Sequence, residues 1–135
     1  MDQDYRKDIY KQEIDYFYIS LISKKLRVGI IGGGRAGTIK AKHFVKNGCR
    51  VEVLSKTFNR EIIELAKCSQ ECLKLITEEF NYEFIQDKHL IIIAIDDESL
   101  KNEIKKYCEI HYKIYVDSSD FSKGMGVIPV QRSTE

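Results

Sequence analysis

The 135-residue sequence contains no tryptophan, a single proline (Pro129) and only three histidines. With one proline, no Pro-rich linker divides the body of the chain. No apolar run approaches the roughly 20 residues that a membrane-spanning helix needs. The longest, residues 90–95, suits a buried strand. The first eight residues mix charges of both signs with no apolar stretch behind them, so no signal peptide is expected and the chain is placed in the cytoplasm. Charge of one sign is also lacking: 22 Lys and Arg face 21 Asp and Glu. Such a balance offers no global attraction to nucleic acid or an anionic membrane, and neither is expected as a partner. His43, His89 and His111 are scattered without metal-ligand spacing. Cys68 and Cys72 lack a further Cys or His nearby to complete a ligand set. No metal is therefore expected, and Cys49, Cys68, Cys72 and Cys108 are read as free thiols of a reducing compartment.

What is present is a globular composition, 43% hydrophobic and 32% charged, of one domain's length. Residues 1–15 are polar and read as an N-terminal extension. Residues 16–135 read as one α/β domain. The β-prone stretch 16–21 is expected to pack on that domain as an extended lead-in. Strands are expected at 26–31, 50–54, 73–76, 89–95 and 113–116, and helices at 35–47, 59–72, 80–87 and after Asp96 or Asp97. The first helix is read from Ala36, Ile39 and His43 at helical spacing, and Asn47-Gly48 is expected to stop it. Residues 127–130 form a candidate sixth strand. Alternating strands and helices imply right-handed crossovers and a parallel sheet of about five to six strands, covered on both faces.

The chemistry concentrates at Gly32-Gly33-Gly34-Arg35-Ala36-Gly37. This Gly-x-Gly-x-x-Gly follows a strand, opens a helix and precedes a second strand at the spacing of a Rossmann-type dinucleotide site. Gly32 permits the tight turn, Gly34 lets backbone approach a pyrophosphate, and Gly37 lets helix and sheet pack closely. Free N–H groups and the positive helix end then face the phosphates. The second strand departs from the usual pattern, because it ends in Ser55-Lys56-Thr57 rather than in an acid. Ser55 and Thr57 offer hydroxyls to a ribose, whereas Lys56 offers a cation to a 2′-phosphate. NAD is the expected cofactor, with NADP left open. Ile95 and Asp96, after the fourth strand, complete the expected cofactor contacts. Asp117 ends the fifth strand on the same edge; it either caps the following turn or serves as a base near a nicotinamide.

The stretches GIIGGGRAGTIKAKHFVKNGCRVEVLSKTF, LIIIAIDDESLKNEI, IYVDSSD and GVIPVQRS resemble the dehydrogenase half of siroheme synthase and the related precorrin-2 dehydrogenases and sirohydrochlorin ferrochelatases. The resemblance runs over roughly residues 16–133. Its features include Lys40 six residues after the triple glycine, the Ala94-x-Asp96-Asp97 run followed by Asn102, and Tyr115-Val116-Asp117. It implies NAD-dependent oxidation of precorrin-2 to sirohydrochlorin, with a tetrapyrrole substrate, a homodimer and Asp117 as the catalytic residue. Ile95 replaces the family's usual threonine. Gly37 stands where the family often has alanine, an exchange expected to be harmless. Family members continue past the point matching Glu135 into a final strand and a helical region for dimerisation and tetrapyrrole binding. Two other classes fit the glycine turn: a non-catalytic NAD(P)-sensing module, and the cofactor-binding piece of a larger reductase.

Overall fold

The computed structural model describes residues 14–129. Five parallel strands form one sheet: β1 (Arg27–Ile31), β2 (Arg50–Ser55), β3 (Leu73–Thr77), β4 (Leu90–Ile93) and β5 (Ile114–Asp117). Their order is β3-β2-β1-β4-β5. Four α-helical segments connect them: α1 (Arg35–Lys46), α2 (Arg60–Cys68), the single turn α3 (Glu83–Gln86) and α4 (Glu98–Ile110). The chain leaves β1 towards β2 and β3, then returns to place β4 on the other side of β1. That reversal falls at the carboxyl ends of β1 and β4, the position at which open α/β sheets bind ligands.

Every residue of β4 is buried. Leu90 and Ile92 join Val28, Ile30, Val51, Val53, Ala41, Phe44 and Ile62 on the face covered by α1 and α2. Ile91 and Ile93 join Ile31, Leu54, Ile85, Ile104 and Cys108 on the face covered by α3 and α4. Two-sided burial explains why this strand reads as a continuous apolar run rather than an alternating one. Asn59 caps α2 by accepting from the Ile62 N–H, and Asp97 caps α4 by accepting from that of Leu100. Gly48, at φ +84°, follows α1 in the left-handed conformation expected of its stop.

Several expectations need correction. Residues 14–22 have no regular structure, and Phe17 and Ile19 are 88% and 68% exposed rather than packed. Among the described residues this lead-in pairs with neither edge strand of the sheet, β3 or β5, so its β-propensity is not realised in a ladder. On α1 the buried residues are Gly37, Thr38, Ala41 and Phe44, while Ala36 and Ile39 face solvent. α2 ends at Cys68 instead of Cys72, because the Ser69 carbonyl accepts the N–H groups of both Cys72 and Leu73 in a turn. Residues 127–129 have no regular structure, although Ile128 packs against the first core face. Val130 and most of the N-terminal extension lie outside the described residues.

Burial also sorts the cysteines. Cys49 and Cys108 are buried, Cys68 is exposed and Cys72 is intermediate. Burial raises the Cys49 thiol pKa and pushes that of Cys108 up to about 12. Since the thiolate is the reactive form, a chromogenic disulfide reagent at neutral pH is expected to modify Cys68 and Cys72 in the native chain and the other two only on unfolding. Four fast-reacting thiols would contradict this core.

Candidate functional site

β1 delivers its chain to the glycine turn at the carboxyl edge of the sheet. Gly32 has φ +123°, and a Cβ there would lie 2.1 Å from the Ala94 carbonyl oxygen, at the end of β4. A Cβ on Gly37 would lie 2.0 Å from the Gly32 carbonyl oxygen. An alanine at Gly37 is therefore not harmless in this geometry, because the obstruction is backbone and cannot swing aside. Gly33 is packed as well, with a Cβ position 2.5 Å from the Thr57 carbonyl oxygen and 2.6 Å from the Phe58 ring. Gly34 differs, since a Cβ there would meet nothing within 4 Å. Open space over one glycine, between glycines locked by their surroundings, is the cradle that an approaching phosphate requires.

The start of α1 shares this character. Gly34 is its N-cap and supplies no side-chain hydrogen bond, and no acidic residue lies in the first turn. α2 and α4 are both capped by side chains. The uncapped N–H groups of α1 and the positive end of its dipole are thus left to an anion from outside.

The other cofactor contacts expected from sequence surround the same edge. Ser55 ends β2 half-buried, and Lys56 and Thr57 follow it into solvent. Lys56 Nζ lies 3.0 Å from Glu79 Oε1 in an exposed ion pair. Arg35, Ala36 and Asp96 are exposed, while Ile95 packs against the second core cluster. Thr38 and Asn59 were not singled out by sequence, yet both brace the turn. Thr38 Oγ1 is 2.7 Å from the Gly34 carbonyl and 3.0 Å from Asn59 Oδ1, and the Asn59 N–H donates to the Gly33 carbonyl at 3.0 Å. An N-capping Asn just past the second strand was the available signal. Lys40 sits half-buried on α1, where burial lowers its pKa.

Asp117 lies on the same edge, at the end of β5, but in a different setting. Its side chain is 0% exposed, with Lys105 Nζ 2.7 Å from Oδ2 and Lys101 Nζ 3.4 Å from Oδ1. Ser119 donates to Oδ1 through its N–H at 3.0 Å and its hydroxyl at 2.7 Å. Burial alone would raise the Asp117 pKa, but the hydrogen bonds from Lys105 and Ser119 outweigh it and hold the carboxyl well below the usual carboxylate range. Lys101 is itself buried, and burial opposes its charge, yet Glu98 and Asp117 together raise its pKa. The base role expected of Asp117 thus requires this network to open first. Lys101 was legible in principle: it falls on the stripe of Ile104 and Cys108, where a lysine needs a buried partner. Among the described residues, no cluster of His, Cys, Asp and Glu has the arrangement of a metal site, and no helix is long and apolar enough to cross a membrane.

A family model described as "Putative NAD(P)-binding" matches residues 19–129. A "Putative precorrin-2 dehydrogenase" of Methanocaldococcus jannaschii is 32% identical over 109 residues, covering 76% of this chain and 52% of the relative. A precorrin-2 dehydrogenase of Priestia megaterium is 26% identical over 117 residues, covering 87% and 56% respectively. A siroheme synthase of Psychrobacter arcticus is 35% identical over 78 residues, covering 58% of this chain and 14% of the relative. Among solved structures, the precorrin-2 dehydrogenase SirC superposes with a TM-score of 0.70 at 26% identity, covering 87% of this chain and 57% of that one. The chain thus spans little more than half the length of the dehydrogenases it matches, and a smaller share of the synthase. It belongs to this NAD(P)-binding family, alongside the precorrin-2 dehydrogenases and siroheme synthases it resembles.

Proposed function

We propose that the chain binds NAD at the carboxyl ends of β1 and β4 and oxidises precorrin-2 to sirohydrochlorin. One observation carries the binding half: the open space over Gly34, at the uncapped start of α1 and at the point where the strand order reverses. The similarity to precorrin-2 dehydrogenases supplies the substrate. When bound, the nicotinamide accepts a hydride. The chain's own part is to hold the pyrophosphate on the N–H groups of α1 and the ribose near Ser55 and Thr57. Glu79 beside Lys56 favours NAD, because its carboxylate already occupies the cation that a 2′-phosphate would need and repels that phosphate. The setting is the cytosol, where the four thiols stay reduced.

The test is anaerobic incubation of the purified chain with precorrin-2 and NAD⁺ or NADP⁺, following sirohydrochlorin absorbance, with Gly34→Ala alongside. Gly34→Ala is expected to keep the melting temperature, since its methyl meets only open space. It should weaken NAD binding by about tenfold or more, about 1.4 kcal/mol, by standing where the pyrophosphate approaches. NAD binding without turnover would leave a cofactor-binding module and remove the enzymatic claim. Undiminished binding by Gly34→Ala would remove the proposed site.

A further inference from the structure

The loop after β5 is built on Asp117. Its Oδ1 accepts from the Ser119 N–H and hydroxyl and, at 3.3 Å, from the Asp120 N–H. Ser118 ties the same loop back to β4, its N–H and hydroxyl reaching the Ile93 carbonyl at 3.0 and 2.9 Å. Residues 118–120 therefore form a rim of the carboxyl edge whose shape depends on this carboxylate. Two lysines one helical turn apart on α4 lock it from the other side. Lys105 holds Oδ2 at 2.7 Å, and Lys101 bridges Oδ1 at 3.4 Å and the Ser119 hydroxyl at 2.7 Å. Glu98 balances Lys101 at 3.0 Å, and Asp120 faces outward towards Lys123 at 3.9 Å. Among the described residues, Lys105 has no other ion-pair partner than Asp117.

We propose that Lys101 and Lys105 are positioning residues that fix Asp117 as a permanent negative charge anchoring the 118–120 rim, and that Asp117 does not take up the substrate's proton. The inference rests on the dehydrogenase reading and assigns parts within it. Hydride leaves the substrate carbon for the nicotinamide, and the accompanying proton passes to solvent water at the open edge. A carboxylate with no exposed surface and donors on both oxygens is a poor acceptor, because proton transfer is efficient only when the acceptor's pKa lies near the working pH. The groups that set the charge of Asp117 are Lys101, Lys105 and Glu98 from α4, and Asp120 with Lys123 from the segment after β5.

The experiment combines steady-state oxidation of precorrin-2 from about pH 5 to 9 with carbon-detected NMR titration of the Asp117 carboxyl. The proteins are the wild type, Asp117→Asn, Lys105→Gln and Lys105→Arg. In the wild type the carboxyl should not titrate above about pH 4, and in Lys105→Gln its titration should move upward. Lys105→Arg should restore the wild-type curve. Asp117→Asn should raise KM by about tenfold while keeping kcat within about threefold, as loss of a rim anchor does. A fall in kcat of about a hundredfold or more at unchanged KM would mark Asp117 as the proton acceptor and overturn the proposal. So would a wild-type carboxyl that titrates in the ordinary range. Should Asp117→Asn fail to fold, the Lys105 pair decides: a carboxyl curve unmoved in Lys105→Gln refutes the clamp. A chain that binds NAD but never turns over sinks the dehydrogenase reading, while the NMR titration still decides the clamp.

Discussion

Gly32→Ala is expected to unfold or severely destabilise the domain, and not merely to weaken its ligand site. Two costs combine there. An alanine at φ +123° occupies a backbone region that L-residues avoid, at about 1–3 kcal/mol. Its methyl would also stand 2.1 Å from the Ala94 carbonyl oxygen and 2.8 Å from the carbonyl carbon. Relief means parting β1 from β4, whose pairing runs from Val28↔Leu90 to Ile31↔Ile93 through the centre of both core faces. Urea unfolding of the two proteins gives the difference directly. A loss below about 1 kcal/mol would mean the turn relaxes easily and the close contact with Ala94 is unimportant. Gly34→Ala in the same experiment should leave the midpoint unchanged, so the pair separates a glycine needed by the fold from one needed by the ligand.

Asp117→Ala is expected to cost about 3–5 kcal/mol, because it strands Lys101 and Lys105 without their shared counter-ion. The wild-type chain should show the related pH dependence. The native pKa of Asp117 is depressed below the unfolded value of about 3.9. Its contribution to stability is therefore complete above that unfolded value and is lost as the pH falls below it. Removing Lys101 along with Asp117, as Asp117→Ala/Lys101→Met, should recover part of the loss. Replacing buried ionic groups by apolar ones of similar volume is often close to neutral. If Asp117→Ala alone melts like the wild type, the lysines are finding water instead, and the buried network has little energetic consequence.

The glycine turn was legible because each constraint there is steric and local: a tight turn, a close approach and a helix start admit glycine and little else. Helix starts at Asn59 and at Asp96 or Asp97 were legible from side-chain capping, and the buried strand within 89–95 from its unbroken apolar run. The inward face of α1 was not. Hydrophobicity favours Ile39, yet the helix turns Gly37, Thr38 and Ala41 inward, because Gly37 must pass within a methyl's width of Gly32. Close approach set small residues at the start of the inward face, and Phe44 supplies its apolar bulk one turn further on. The Lys101–Asp117–Lys105 cluster was hidden for a different reason. Periodicity places Lys101 on an inner face but does not say which strand that face meets, and the partner lies 16 positions away in sequence at the end of β5.

The strand order also bears on how the chain is made. β1 sits between β2 and β4, but β4 arrives much later: Arg27 and His89, which meet at the base of these strands, are 62 positions apart. Because β4 is synthesised after β2, the edge of β1 that β4 fills has no partner until residues 90–93 emerge. Gly32 lies closely against the Ala94 carbonyl, a contact the glycine turn lacks until β4 is in place. Nascent chains halted before that point are expected to carry the whole glycine motif without nucleotide binding. On the proposed function, competence to bind would arrive with β4, well after the residues that the ligand would touch.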